Sequence, residues 1–155
     1  MINDNIKDYV KVYKNFFDKQ FCKEVITELQ SNDWETHSFY IPDKNEYVSF
    51  EDDLAVSFNH KNKASLKLNK QIWEAINQYV LKDFKSFGSW FSGWNGYTDV
   101  RFNKYVIGTK MKEHCDHIHT VFDGTRKGIP VLSIVGALND NYEGGDFIMW
   151  EILGG

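Results

Sequence analysis

The chain has 155 residues, is 42% hydrophobic and 16% aromatic, and sets 18 Lys and Arg against 22 Asp and Glu for a formal net charge of −4. That length suits a single domain, 1–155, able to bury about two-thirds of its unfolded surface. The acidic balance argues against a nucleic-acid partner, and no apolar run approaches the roughly 20 residues of a membrane span.

The two cysteines, Cys22 and Cys115, lie far apart and form no CxxC, which argues against a disulfide framework or a zinc knuckle and fits a reducing cytoplasm. The start, "MINDNIKDYVKVYKN", has no apolar signal segment. "YVKVYKNFF" (9–17) alternates apolar and polar residues and predicts a strand. Asp18 is a good N-cap for the helix expected over "KQFCKEVITELQ", with Phe21, Val25, Ile26 and Leu29 on one face. Cys22 reads as a small buried thiol.

Residues 31–63 are mixed, with strand-like pieces "HSFYI" and "LAVSF". His37 and His60 stand alone there and read as surface or hydrogen-bonded histidines. A long helix is expected over "KASLKLNKQIWEAINQYVLKDF", its stripe of Leu68, Ile72, Ala75, Ile76, Tyr79 and Val80 packed on a sheet. "GSWFSGWNG" is a loop whose Trp90 and Trp94 serve packing or line a groove.

From Thr98 onward the chain reads as strands. In "TDVRFNKYVI", Val100 and Phe102 point one way and Arg101, Asn103 and Tyr105 the other. The polar row lines a pocket or a solvated sheet face, because burying it without partners is costly. "GIPVLSIVGAL" (128–138) predicts a buried strand, "NDNYEGG" a turn cluster and "DFIMW" a further strand. Helices first and strands after indicate an α+β protein built on a sandwich or barrel.

The densest chemistry is in "KMKEHCDHIHT" (110–120), which puts three histidines, one aspartate and one cysteine into positions 114–119. On a strand, His114 and Asp116 project to one face, where an imidazole and a carboxylate can supply two cis ligands. With a histidine from elsewhere they would form the 2-His-1-carboxylate triad of non-haem Fe(II) oxygenases. A zinc site using His117 or His119 is the rival metal reading. A loop of histidines without metal is the third. Cys115 faces the other way, as packing.

The order Tyr105, Gly108, His114-Cys115-Asp116, "LSIVGALND", then Glu143-Gly144-Gly145-Asp146-Phe147 resembles the Fe(II)/2-oxoglutarate-dependent dioxygenases of the prolyl 4-hydroxylase-like group. "NFFDKQFCKEVITEL" also resembles the start of that group, so the likeness covers most of the chain. It implies a double-stranded β-helix (jelly-roll or cupin-like) core with the N-terminal helices packed on one sheet. It makes His114 and Asp116 iron ligands and Tyr105 a contact of 2-oxoglutarate. Ser133, Val135 and Ala137 would line the same cosubstrate pocket, with Arg101 and Asn103 as further pocket residues. Some relatives carry a tyrosine where Ala137 stands. The loop "TVFDGTRKG" falls where the family has a substrate-covering segment.

The family pattern continues past Glu-Gly-Gly to a distal histidine and an Arg or Lys for the far carboxylate of 2-oxoglutarate. Here no histidine follows His119 and no Lys or Arg follows Lys127, so the expected core is incomplete and neither group is assigned. The implied activity is hydroxylation of a C–H bond in a peptidyl (prolyl-like) or small amino-acid substrate. O2 and 2-oxoglutarate would be consumed and succinate and CO2 released, with Fe(II) and ascorbate as cofactors. The alternative is an inactive relative acting as a scaffold or assembly protein.

Overall fold

The structure, a computed structural model, describes residues 5–41, 43–58, 63–85, 98–114, 116 and 132–149. It is mixed helix and sheet, an α+β chain with small antiparallel sheets. Two compact units divide it. One comprises Met1–Gln30, Lys61–Thr98 and Leu138–Gly155; the other comprises Ser31–His60 and Asp99–Ala137.

The first unit is built on two helices, α1 (Lys19–Leu29) and α2 (Lys63–Asn77), which pack on each other. Asp18 starts α1 as its sequence predicts. Its side chain accepts the Phe21 N–H at 2.8 Å, satisfying one of the free amides of the first turn. That N–H holds the Asp18 carboxyl below its ordinary value, against a smaller push from burial and with help from Lys67. Phe21, Val25 and Leu29, four residues apart, are the buried face. Cys22 is half-buried, and burial pushes its thiol up, which disfavours a reactive thiolate.

Leu68, Ile76 and Val80 are buried along the second helical stretch, with Ile72, Ala75 and Tyr79 half-buried. The α-helical register lasts only to Asn77; Gln78–Asp83 widens into a π-helix, closed by the Phe84 N–H donating to the Tyr79 carbonyl at 3.0 Å.

The strand expected over 9–17 is not formed. Instead Ile6–Tyr9 is a 3₁₀ turn capped by Asn5, and the chain then runs irregularly to Asp18, with Asn15 at φ 55°. Side-chain contacts account for this. Tyr9 stacks on Phe84 at 5.8 Å, and the Tyr13 hydroxyl donates to Asp83 at 2.5 Å. Those contacts fix two aromatics of the alternating run against the end of the π-helix instead of pairing its backbone.

The second unit holds five short strands, β1 (Glu35–Thr36), β2 (Phe39–Ile41), β3 (Glu46–Val48), β4 (Ala55–Phe58) and β5 (Arg101–Lys104). They form an antiparallel sheet in the order β1-β4-β5 and a separate β2-β3 hairpin. Opposed residues share a face. Arg101 opposes Phe58, and Asn103 opposes Val56, which also opposes Glu35. Phe102 opposes Ser57 on the other face, and both are buried. Val56, on the Asn103 face, and Leu54, of the same parity, are buried as well.

Two further strand expectations are corrected. Residues 132–138 and 146–149 adopt no strand, and 128–131 and Trp150 lie outside the described residues. Val135 is 77% and Phe147 72% exposed. β-branched composition favours extended backbone, but a strand needs a paired neighbour. Among the described residues there is no closed barrel, and no helix is long and apolar enough to cross a membrane.

Candidate metal-ligand pair

After β5 the chain turns back sharply. Thr109 N–H donates to the Val106 carbonyl at 3.0 Å, and the Val106 N–H donates to Thr109 Oγ1 at 2.9 Å. Gly108 sits inside this turn at φ 87°, a conformation that side chains rarely adopt. Beyond the turn, the Lys110 N–H donates to the Asp52 carbonyl at 3.1 Å, and Lys110 bridges Asp53 in parallel. The chain thus arrives at His114 already anchored to the loop before β4.

The His114 Nδ1 lies 2.7 Å from the Lys112 carbonyl oxygen. A carbonyl only accepts, so Nδ1 carries a hydrogen, and in the neutral ring Nε2 keeps its lone pair. Nε2 stands 3.4 Å from Asp116 Oδ1. The other carboxylate oxygen, Oδ2, accepts a short hydrogen bond from the Ser133 hydroxyl. At ligand distances of about 2.1 Å, two donor atoms 3.4 Å apart subtend about 110° at a shared cation. Octahedral cis ligands would lie about 3.0 Å apart, so closing by about 0.4 Å would suffice. The two side chains are 34% and 55% exposed, so a cation can reach them from solution.

The spacing therefore suits two donors to one divalent cation. Among the described residues no third His, Cys, Asp or Glu joins them. His117, His119 and Cys115 lie outside the described residues, as do His60, Trp90, Trp94 and the 120–128 loop.

The expected cosubstrate residues are placed unequally. Ser133 is tied to Asp116. Arg101 and Asn103 share one exposed face of β5, and Tyr105, just past it, is 52% exposed. Among the described residues no hydrogen bond joins Asn103 or Tyr105 to either ligand. Val135 and Ala137 are exposed. A separate groove of about 430 Å³, lined by residues including Asn32, Trp34, Glu35 and Ser57, contains none of these residues.

His37 departs from the surface or hydrogen-bonded histidine expected of it. It is 7% exposed, and its Nδ1 has no hydrogen-bond partner among the described residues. Its backbone N–H donates to the Leu54 carbonyl at 2.8 Å, which extends the β1-β4 ladder by one pair. Its ring meets Phe39 edge-on at 4.4 Å, and Phe39 in turn meets the His114 ring at 6.1 Å. The alternation in "HSFYI" already places His37 and Phe39 on one face; what sequence reasoning lacked was the fold that turns this face toward His114.

Burial first, and the Arg101 charge second, hold the His37 imidazole below its ordinary value; Asp53 opposes and His114 adds to the depression. The unfolded chain therefore takes up this proton at higher pH than the folded one. His37 costs nothing above the unfolded value of about 6.5, and stability falls as pH drops through the lower folded value. His37→Gln will remove that part of the decline between about pH 7 and pH 5, read as urea midpoints across a pH series. An unchanged slope would refute it.

No family model matches this chain, and no curated protein or solved structure matches it.

Proposed function

We propose that the chain is an Fe(II)/2-oxoglutarate-dependent oxygenase domain, in which the sheet around β4 and β5 belongs to a jelly-roll core. The observation that carries this reading is the convergence of His114 Nε2 and Asp116 Oδ1 to 3.4 Å, each with its second polar atom already engaged. A ligand pair needs its outer partners to fix tautomer and orientation, and both are present here.

His114 and Asp116 would hold the iron from two adjacent positions. Bound Fe(II) supplies the coupling of 2-oxoglutarate decarboxylation to hydroxylation of a substrate C–H by O2. The chain's own residues do the rest. The Lys112 carbonyl presents the imidazole lone pair. The Ser133 hydroxyl occupies Asp116 Oδ2 and favours one-oxygen ligation. Arg101 supplies a cation for a carboxylate, and Asn103 and Tyr105 supply neutral donors on the same strand. The substrate class follows the resemblance, a peptidyl (prolyl-like) or small amino-acid C–H.

The test is succinate formation from 2-oxoglutarate with Fe(II), ascorbate and air, compared with Asp116→Ala. Succinate above that background supports the reading. No succinate from a chain shown to bind Fe(II) and 2-oxoglutarate together would overturn catalysis. It would leave the scaffold alternative, which the exposed apolar side chains of Val135, Phe147 and Ile148 favour.

A further inference from the structure

We propose that the loop 49–53, between β3 and β4, is a clamp that sets the geometry of the His114–Asp116 pair, with Asp52 as its positioning residue. This rests on the metal reading above, and it assigns a role to residues that neither composition nor motif singled out.

Lys110, Lys112 and His114 stand two residues apart, in a segment bridged to Asp53 at Lys110 and bent at Glu113. The Asp52 carboxylate takes the first two at once, Oδ2 at 3.5 Å from Lys110 Nζ and Oδ1 at 3.4 Å from Lys112 Nζ. The Asp52 carbonyl also accepts the Lys110 N–H at 3.1 Å. Three contacts from one residue to two positions fix both the advance and the rotation of the segment just before the ligand.

The loop itself is braced. Asp53 Oδ2 accepts the Phe50 N–H at 2.5 Å, and the Asp53 N–H donates to the Phe50 carbonyl at 3.1 Å. Phe50 places its ring under the Lys112 ammonium, 3.2 Å from the centroid. Phe39 touches both Phe50, at 6.5 Å, and His114, at 6.1 Å.

The connection to the site runs through Lys112. Its side chain is held by Asp52 and Phe50, and its carbonyl receives the Nδ1 hydrogen of His114. Moving the Lys112 side chain therefore moves the group that orients the imidazole. Exposed ion pairs contribute little stability one at a time. A metal site, however, tolerates only about 0.5 Å of misplacement, so a weak clamp can matter more to ligation than to folding.

The experiment is Mn(II) titration of the full chain, followed by the electron paramagnetic resonance of free and bound manganese, on wild type, Asp52→Asn, Asp52→Glu and Asp116→Ala. Asp52→Asn should weaken Mn(II) binding about 3- to 10-fold, less than loss of a direct outer partner, and should alter the bound-manganese lineshape. Asp52→Glu should restore both. The gap between wild type and Asp52→Asn should shrink near 1 M salt, where screening acts within about 3 Å.

If Asp52→Asn keeps wild-type affinity and lineshape while Asp116→Ala loses binding, the clamp is wrong and the metal reading stands. If Asp116→Ala binds as well as wild type, the metal reading falls and the clamp with it. Should Asp52→Asn not fold, Lys112→Met carries the same expectation, because it removes the same link while keeping Asp52.

Discussion

Asp116→Ala will lower Mn(II) affinity by at least about 100-fold, beyond the 10- to 100-fold typical of losing an outer partner of a ligand. The substitution removes one of the two donor atoms and the only carboxylate facing His114 Nε2 among the described residues. It also frees the Ser133 hydroxyl. Ser133→Ala separates these effects: it keeps the donor atom and removes only its outer partner, so its loss should stay near 10-fold. Calorimetric titration of the two variants against wild type gives the comparison. Equal affinities for Asp116→Ala and wild type would remove the basis for an iron site. Metal analysis of protein purified without added metal discriminates iron from the zinc reading.

Phe21→Ala will destabilise the unit that contains α1 by about 3–5 kcal/mol, the range for truncating a buried phenylalanine. Phe21 is 1% exposed and lies in the first turn of α1. Its ring meets Phe17 at 6.0 Å, and the Lys67 ammonium lies 4.4 Å from the ring centroid. Its N–H is the group that Asp18 caps. One residue thus joins the helix start, the aromatic approach to it and α2. A loss of that size is a large part of the 5–15 kcal/mol that keeps most domains folded. Urea denaturation followed by circular dichroism measures it, and a shift under about 1 kcal/mol would show that the ring is not the centre of this core.

Where local rules and packing agree, the sequence is legible. α1 was readable because Asp18 supplies a cap and the apolar spacing of Phe21, Val25 and Leu29 matches a helix turn. β5 was readable because Phe102 alternates with exposed Arg101 and Asn103. His114 and Asp116 do approach each other, but neither lies in a strand and the chain bends at Glu113, so the period of two expected there is not what brings them together. The segment 9–17 misled because alternation says which side chains share a face, not whether a neighbouring strand exists to pair with. In the fold, Tyr9 and Tyr13 spend their side chains on Phe84 and Asp83. The described part of the later run, 132–138, misled for a related reason: its β-branched residues favour extension, while pairing depends on the rest of the chain. His37 was illegible as a neighbour of the site because its link to His114 runs through Phe39, and Asp52 because its partners Lys110 and Lys112 lie far along the sequence.

The bond from Ser133 to Asp116 joins residues 17 apart in the sequence. The length-dependent entropy of closing a span of that many residues is on the order of 2.5 kcal/mol, apart from a constant set by the ends. A hydroxyl on a charged carboxylate returns about 1.5–3 kcal/mol. A bond of that size offsets much of that cost, so Ser133→Ala should loosen the approach of 133 to 116.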